Sequence, residues 1–219
     1  MPRGLFFIGD LRLLAMGCCN RSLIRVCLGV CLGLGSSVSS YAQPGDVAYP
    51  QSLKSEVEEL LVLQNQRSSD PRLLTQLAGL YLDMGDDWYR EEQDKIVAYQ
   101  KGAEFAQHSL RLLETQPIAH FYYAANVGQA SQLQGLWVSA GAVEEIRTHV
   151  TRSLELDSQY ATALYMMGRL LDELPWFWGG DTDRACDFLK KALASDPAYA
   201  HARLNLAKWY IEGTANFIG

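Results

Sequence analysis

Four histidines, His108, His120, His149 and His201, are the side chains best suited to move a proton or hold a metal near neutral pH. None has a second His or Cys at metal-ligand spacing, and neither an HExxH nor a CxxC pattern occurs. Each is therefore read as a surface or capping residue. The acidic pair Glu144-Glu145 and the run Asp181 to Asp183 suit helix N-termini, where negative charge offsets the positive end of the helix dipole. No GxSxG, no P-loop and no dinucleotide-type glycine fingerprint after a strand is present. Of five cysteines, Cys18, Cys19, Cys27 and Cys31 sit in the first 31 residues, which leaves Cys186 alone in the rest. A disulfide framework within the folded part is excluded, and Cys186 beside Ala185 reads as a small buried hydrophobe. The expectation is a chain with no catalytic residues, no metal and no cofactor.

Binding chemistry is better represented, in two aromatic sets. The first is Tyr122, Tyr123 and Trp137 with Asn126; the second is Trp176, Phe177 and Trp178 beside Gly179 and Gly180. Between packed helices such residues line apolar clefts with a few polar groups, the usual form of a small-molecule site. The competing reading is that they are core or loop-anchoring residues. For the second set a purely internal role is difficult, because three consecutive aromatics cannot all point inward.

These side chains must be held by helices. Residues 181–211, DTDRACDFLKKALASDPAYAHARLNLAKWYI, combine small residues (Ala185, Ala192), a large one between them (Leu189), Pro197 at the turn, and a new apolar face at Leu206, Ala207 and Tyr210. That is the small-and-large spacing of tetratricopeptide (TPR) hairpins, in which alanines permit close helix approach and proline sets the turn. Leu77, Ala78 and Tyr81 repeat the later spacing, and SLELDSQYA (153–161) parallels ALASDPAYA (192–200). Those two copies stand farther apart than the roughly 34 residues of a simple repeat, and the insertion LPWFWGGD (174–181) explains the excess. Helices are expected over 52–66, 73–85 with Gly85 as its C-terminal glycine, a long arm ending before Pro117, 118–133, 143–156 and 160–174, followed by the repeat described above. The 3, 4, 3, 4, 3 spacing of Ile96, Tyr99, Ala103, Ala106, Leu110 and Leu113 suits packing in a solenoid or a coiled-coil seam. No alternating strand pattern appears. The fold class is all-α, with TPR-like helical hairpins stacked as an α-solenoid.

The first 42 residues read as a targeting segment. Arg21 and Arg25 precede the apolar run Val26 to Gly35, and Ser40 and Ala42 are small residues placed for a cut before Gln43. This is the order of a secretory signal peptide, with an apolar run too short to span a bilayer. A start at Met16 would leave a signal of ordinary length, and a lipid anchor at Cys31 is the alternative. Residues 43–51 read as a linker and 52–219 as the helical domain. The whole chain carries a formal net charge of −6, and residues 1–42 hold four of its Arg. The remainder is thus more acidic still, which disfavours nucleic acid and anionic membranes as partners. The expected location is periplasmic or secreted.

The segments HFYYAANVGQASQLQG, VEEIRTHVTRSLELDSQYATA and LPWFWGGDTDRACDFLKKAL resemble the TatT component family of TRAP-transporter-associated proteins. The likeness rests on Tyr123-Ala124-Ala125-Asn126 and on Gly179-Gly180-Asp181, and it covers about residues 118–211. It implies a periplasmic accessory that docks a solute-binding protein and holds an apolar ligand. The microtubule-regulator TPR proteins share the Pro-Trp loop after a helix, at Pro175-Trp176, and are a more distant parallel. Two functions are expected. One is an exported, non-catalytic adaptor that docks a protein partner, or a second copy of itself, and an apolar small molecule. The other is a transport accessory that hands a hydrophobic solute to a periplasmic binding protein.

Overall fold

A computed structural model describes residues 49–67, 69–135 and 140–215, all within the compact unit Ala48–Gly219. The targeting segment and Trp137 lie outside the described residues. Among the described residues eight α-helices follow one another: α1 (Ser52–Gln66), α2 (Pro71–Asp83), α3 (Glu92–Leu112), α4 (Pro117–Leu133), α5 (Ala140–Leu156), α6 (Ala161–Glu173), α7 (Thr182–Ser195) and α8 (Ala200–Ala215). Among the described residues there is no strand. Helices adjacent in sequence are adjacent in space, α2 with α3, α4 with α5, α6 with α7, and α3 also packs on α4. This is the stacking of TPR-like hairpins, and it places the long helix α3 inside the solenoid rather than in a coiled-coil seam.

The local signals act where their chemistry requires. Asp70 caps α2 by accepting from the Arg72 amide at 3.0 Å, and Pro71 opens the helix at a position whose missing N–H is not needed. Pro117 opens α4 in the same way. Asp181 caps α7 by accepting from the Arg184 amide at 3.0 Å, so its expected place at a helix N-terminus holds. The two opening prolines share a further device. Ser109 of α3 donates to the Pro71 carbonyl at 2.7 Å, and Ser153 of α5 donates to the Pro117 carbonyl at 2.8 Å. Each buried hydroxyl ties the second helix of a hairpin to the start of the first, which satisfies a polar group that burial would otherwise penalise.

In the next hairpin the position of Ser153 is taken by Ala192, which is fully buried with Leu164 and Ala202. Ala185 and Leu189 are buried beside it, as is Cys186, a free thiol. Gly168 of α6 faces this stripe so closely that a Cβ there would lie 3.1 Å from the Ala185 carbonyl oxygen. Replacing Ala192 with Trp is expected to overpack the α6–α7–α8 junction and to destabilise the protein by on the order of 1–3 kcal/mol or more. Chemical denaturation of both proteins measures it; an unchanged midpoint would place Ala192 away from a close crossing.

One expectation is corrected here. Helix α2 does not end on Gly85 as a left-handed cap; positive φ occurs at Gly135 and Gly179. The chain instead widens into a π-turn at Met84–Trp88. Gly85 serves sterics: a Cβ there would sit 2.2 Å from the Tyr99 ring of α3, so only glycine lets that ring reach the turn.

Candidate functional site

The insertion after α6 is a rigid loop that carries its aromatics outward. Pro175 stops α6, and Trp176–Trp178 form one turn of 3-10 helix. Three short backbone bonds close it: the Trp178 and Gly180 amides donate to the Pro175 carbonyl, and the Gly179 amide donates to the Trp176 carbonyl, at 2.9 to 3.0 Å. The Asp181 amide then returns to the Leu171 carbonyl at 2.9 Å. Gly179 lies at φ +84°, a conformation that side-chain-bearing residues resist. At Gly180 a Cβ would stand 1.7 Å from the Leu174 carbonyl oxygen, so the two glycines are needed for different reasons. Arg147 of α5 adds a pin from outside the loop, donating from its guanidinium to the Trp178 carbonyl at 2.6 Å.

On this base Trp176 is 84% and Phe177 63% exposed, while Trp178 is half-buried. Trp176 and Phe177 meet edge to face with centroids 5.8 Å apart, and Phe177 and Trp178 at 6.1 Å. Large aromatics carried in water on a backbone fixed by these bonds form a preorganised contact surface, because little backbone entropy is left to lose on binding.

Of the first aromatic set, Tyr122, Tyr123 and Asn126 lie elsewhere and inward. Asn126 is fully buried between α2, α3 and α4, donating to the Ala78 carbonyl at 3.1 Å and to the Tyr122 carbonyl at 2.9 Å. Gly102 of α3 makes room for it: a Cβ there would be 2.3 Å from the Asn126 Oδ1. Tyr122 packs over Gly79 of α2, where a Cβ would be 2.7 Å from the ring. Tyr123 is buried in the core with Leu74, Leu77, Ala78, Phe105 and Ala106, and its hydroxyl donates to Glu145 at 2.5 Å. These residues join helices, and the structure does not bring them together with Trp176–Gly180.

Two polar groupings escaped the sequence reading. Histidines 120 and 149 are not surface caps. His120 is 5% exposed, with its Nδ1 3.0 Å from the His149 Nδ1 and its Nε2 2.9 Å from the Glu114 carbonyl oxygen. The His149 ring also stacks on Tyr123 with centroids 4.2 Å apart. Beside the pair, Arg152 makes a two-pronged bond to Glu114 at 2.6 and 2.9 Å. Glu145 likewise serves as the acceptor for Tyr123 rather than as a helix-end charge. A groove of about 490 Å³ runs along this face of α5, lined among others by Glu114, His149, Arg147 and Arg152. Nothing in one sequence marks a pair of histidines 29 positions apart; the available hint was that each borders an apolar helix face, before Val150 and near Ala119 and Ala124.

The second grouping is acidic. Asp86 in the π-turn accepts from the Tyr99 hydroxyl at 2.6 Å and from the Gln129 amide at 3.2 Å, and Tyr49 bonds to Asp87. Burial pushes the Asp86 carboxyl up to about 6, and Asp87 adds to the shift, while the Tyr99 bond opposes it. Asp83 is pushed up to about 7 by desolvation and by Asp86, Asp87 and Glu56, but it is exposed, so water screens much of that shift. A carboxyl raised in the folded state stabilises below its unfolded value and loses that contribution as pH rises through about 6. Asp86→Asn is therefore expected to gain about 1–2 kcal/mol at pH 7.5 and nothing near pH 4. Urea denaturation at the two pH values checks this, and an equal effect at both would refute it. Among the described residues no three His, Cys, Asp or Glu side chains form a metal-holding group, and no described helix is long and apolar enough to cross a membrane.

Comparison with known proteins supplies the family. Residues 43–174, more than half of the chain, match the family described as Regulator of microtubule dynamics protein 1-3. The chain belongs to that family. Its relatives include Regulator of microtubule dynamics protein 1 from Bos taurus, 27% identical over 72% of this chain and 55% of that protein, and from Mus musculus, 28% identical over 56% of this chain and 42% of that protein. The chain thus spans about half the length of the curated relatives it matches. The fold is shared with the crystal structure of MamA, a TPR-like helical repeat protein, at a TM-score of 0.53 and 16% identity over 75% of this chain and 80% of that one.

These matches do not show the TatT resemblance; they show the microtubule-regulator family given above as the more distant parallel, over residues 43–174, which stop short of the Pro175-Trp176 pair. They also correct the periplasmic or secreted location and its lipid-anchored alternative: the relatives are mammalian proteins named for microtubule dynamics, and the periplasm is a bacterial compartment. The physical reason is that an order of arginines, apolar run and small residues is compositional and does not name a compartment. The family description names regulators and no enzymatic activity.

Proposed function

We propose that this chain is a non-catalytic, TPR-like docking module that binds a protein partner in microtubule regulation through the loop Trp176–Gly180. The observation that carries the reading is the preorganised exposure of Trp176 and Phe177 on a loop closed by backbone bonds and pinned by Arg147. An isolated aromatic is ordinary on a surface, but a rigid pair with a fixed base matches the anchors that dominate protein interfaces. The helical domain over 52–219 is the scaffold in this reading, and Gly179 and Gly180 are loop-forming rather than contacting residues.

Apolar small-molecule binding has less support. Tyr122, Tyr123 and Asn126 are engaged in packing α4 against its neighbours, whereas the loop Trp176–Gly180 presents its aromatics to solvent. The transport-accessory reading falls with the periplasmic location on which it depended.

Co-sedimentation of the purified chain with microtubules assembled from purified tubulin tests the proposal. The wild-type chain is expected in the pellet, and the doubly substituted chain Trp176→Ala, Phe177→Ala in the supernatant. Equal pelleting of both would remove the loop from the interface.

A further inference from the structure

The buried His120 and the half-buried His149 bridge α4 and α5, and their proton inventory follows from their partners. A carbonyl oxygen only accepts, so His120 Nε2, 2.9 Å from the Glu114 carbonyl, carries a hydrogen. In a neutral ring the other nitrogen is then bare, and His120 Nδ1 must accept. The hydrogen in the 3.0 Å contact therefore sits on His149 Nδ1, which leaves His149 Nε2 as the bare nitrogen of the pair. One added proton goes to that Nε2 and keeps the N–H···N bond. A second has only His120 Nδ1 to occupy. Two N–H groups then face each other at 3.0 Å, and two positive rings oppose each other at hydrogen-bond distance.

We propose that the His120–His149 pair is a proton-operated latch of the α4–α5 interface: it stays closed with none or one added proton and opens on the second.

The surroundings fit this role. From the α3–α4 turn, Glu114 places its carbonyl on His120 and its carboxylate 3.5 Å from His120 Nε2, but that carboxylate is already held by Arg152 of α5. From α4, Tyr123 stacks on His149 and gives its hydroxyl hydrogen to Glu145 of α5. Glu144, Arg147 and Glu155 of α5 line the adjoining groove with Arg152. Glu145 is thus engaged by Tyr123, while the Glu114 carboxylate is shared between Arg152 and His120. Burial, and then the charge of His120, lower the affinity of His149 for its proton, with Glu145 opposing. The sign follows: His149, lowered in the folded state, contributes stability that is full above the unfolded value near 6.5 and begins to be lost as pH falls below it, while the latch is still closed; the second proton, which opens it, adds to that loss. Glu114–Arg152 and Tyr123–Glu145 flank the latch on the same seam, so opening it weakens α4–α5.

Thermal unfolding of the purified chain at pH 7.5 and pH 5.0, for wild type and His149→Gln, tests the latch. Glutamine can still donate to His120 Nδ1 but does not titrate. The wild-type midpoint is expected to fall by about 4–8 °C more than that of the variant between the two pH values. Equal falls would overturn the proposal. Nitrogen-15 NMR of the wild-type histidines gives a second reading that needs no variant. The latch requires that the His149 Nδ1 resonance stay protonated from pH 8 through the first titration step, with two separate steps for the pair. A single step with both rings titrating independently would overturn it.

Discussion

Gly102→Ala is expected to lower stability by on the order of 3 kcal/mol, or about 6–12 °C in the thermal midpoint of a domain this size. In an exposed helix interior the same change stabilises by about 1 kcal/mol, because alanine is the better helix former. The sign reverses here because the added Cβ would stand 2.3 Å from Asn126 Oδ1 and 2.6 Å from its Cγ. Asn126 cannot retreat: its amide is held by the carbonyls of Ala78 on α2 and Tyr122 on α4, and the residue is fully buried. The clash is therefore transmitted to three helices at once. A double-mutant cycle separates this cause from a general loss of packing. Asn126→Ser on the Gly102→Ala background should recover part of the loss, whereas Asn126→Ser alone should destabilise. Additive effects would show that Gly102 and Asn126 do not meet.

The second large effect is on binding. Trp176→Ala with Phe177→Ala should weaken partner binding at least about 100-fold, since aromatic hot spots cost about 2 kcal/mol or more each when truncated. Folding stability should hardly change, because both side chains are largely in water while the base of the loop is secured by Pro175, Gly180 and Arg147. That contrast distinguishes an interface role from a structural one. Arg147→Met supplies a graded case. It keeps the apolar stem, removes the donor to the Trp178 carbonyl, and should reduce affinity by loosening the loop rather than by losing a contact. Tight binding measured by fluorescence anisotropy for the double variant would sink the assignment, and a large fall in its unfolding midpoint would show that the aromatics are structural.

Local chemistry written in short stretches was legible from the residues. The start and end of α1, the alanine-leucine stripe of α7, Asp181 as a cap, the buried thiol of Cys186 and the all-α class follow from periodicity, caps and small-residue spacing, each of which acts within a few turns of chain. The Pro175–Gly180 loop was legible for the same reason: proline and glycine punctuate it, and three adjacent aromatics cannot all be buried. What Tyr122, Tyr123 and Asn126 do was not legible, since an aromatic on a helix face reads alike whether it meets a ligand or another helix. Only the crossing of α2, α3 and α4 decided it, by setting glycines at 79 and 102 against those side chains.

The sequence by itself thus determined the helices, their caps and the outward aromatic turn, because those depend on neighbours a few residues away. The tertiary structure alone decided that His120 meets His149, that Arg147 reaches the loop after α6, and that Asp86 shares Tyr99 and Gln129. Those contacts join different elements, 13 to 43 positions apart in the chain, and their chemistry depends on distance and burial, which exist only once the hairpins have stacked.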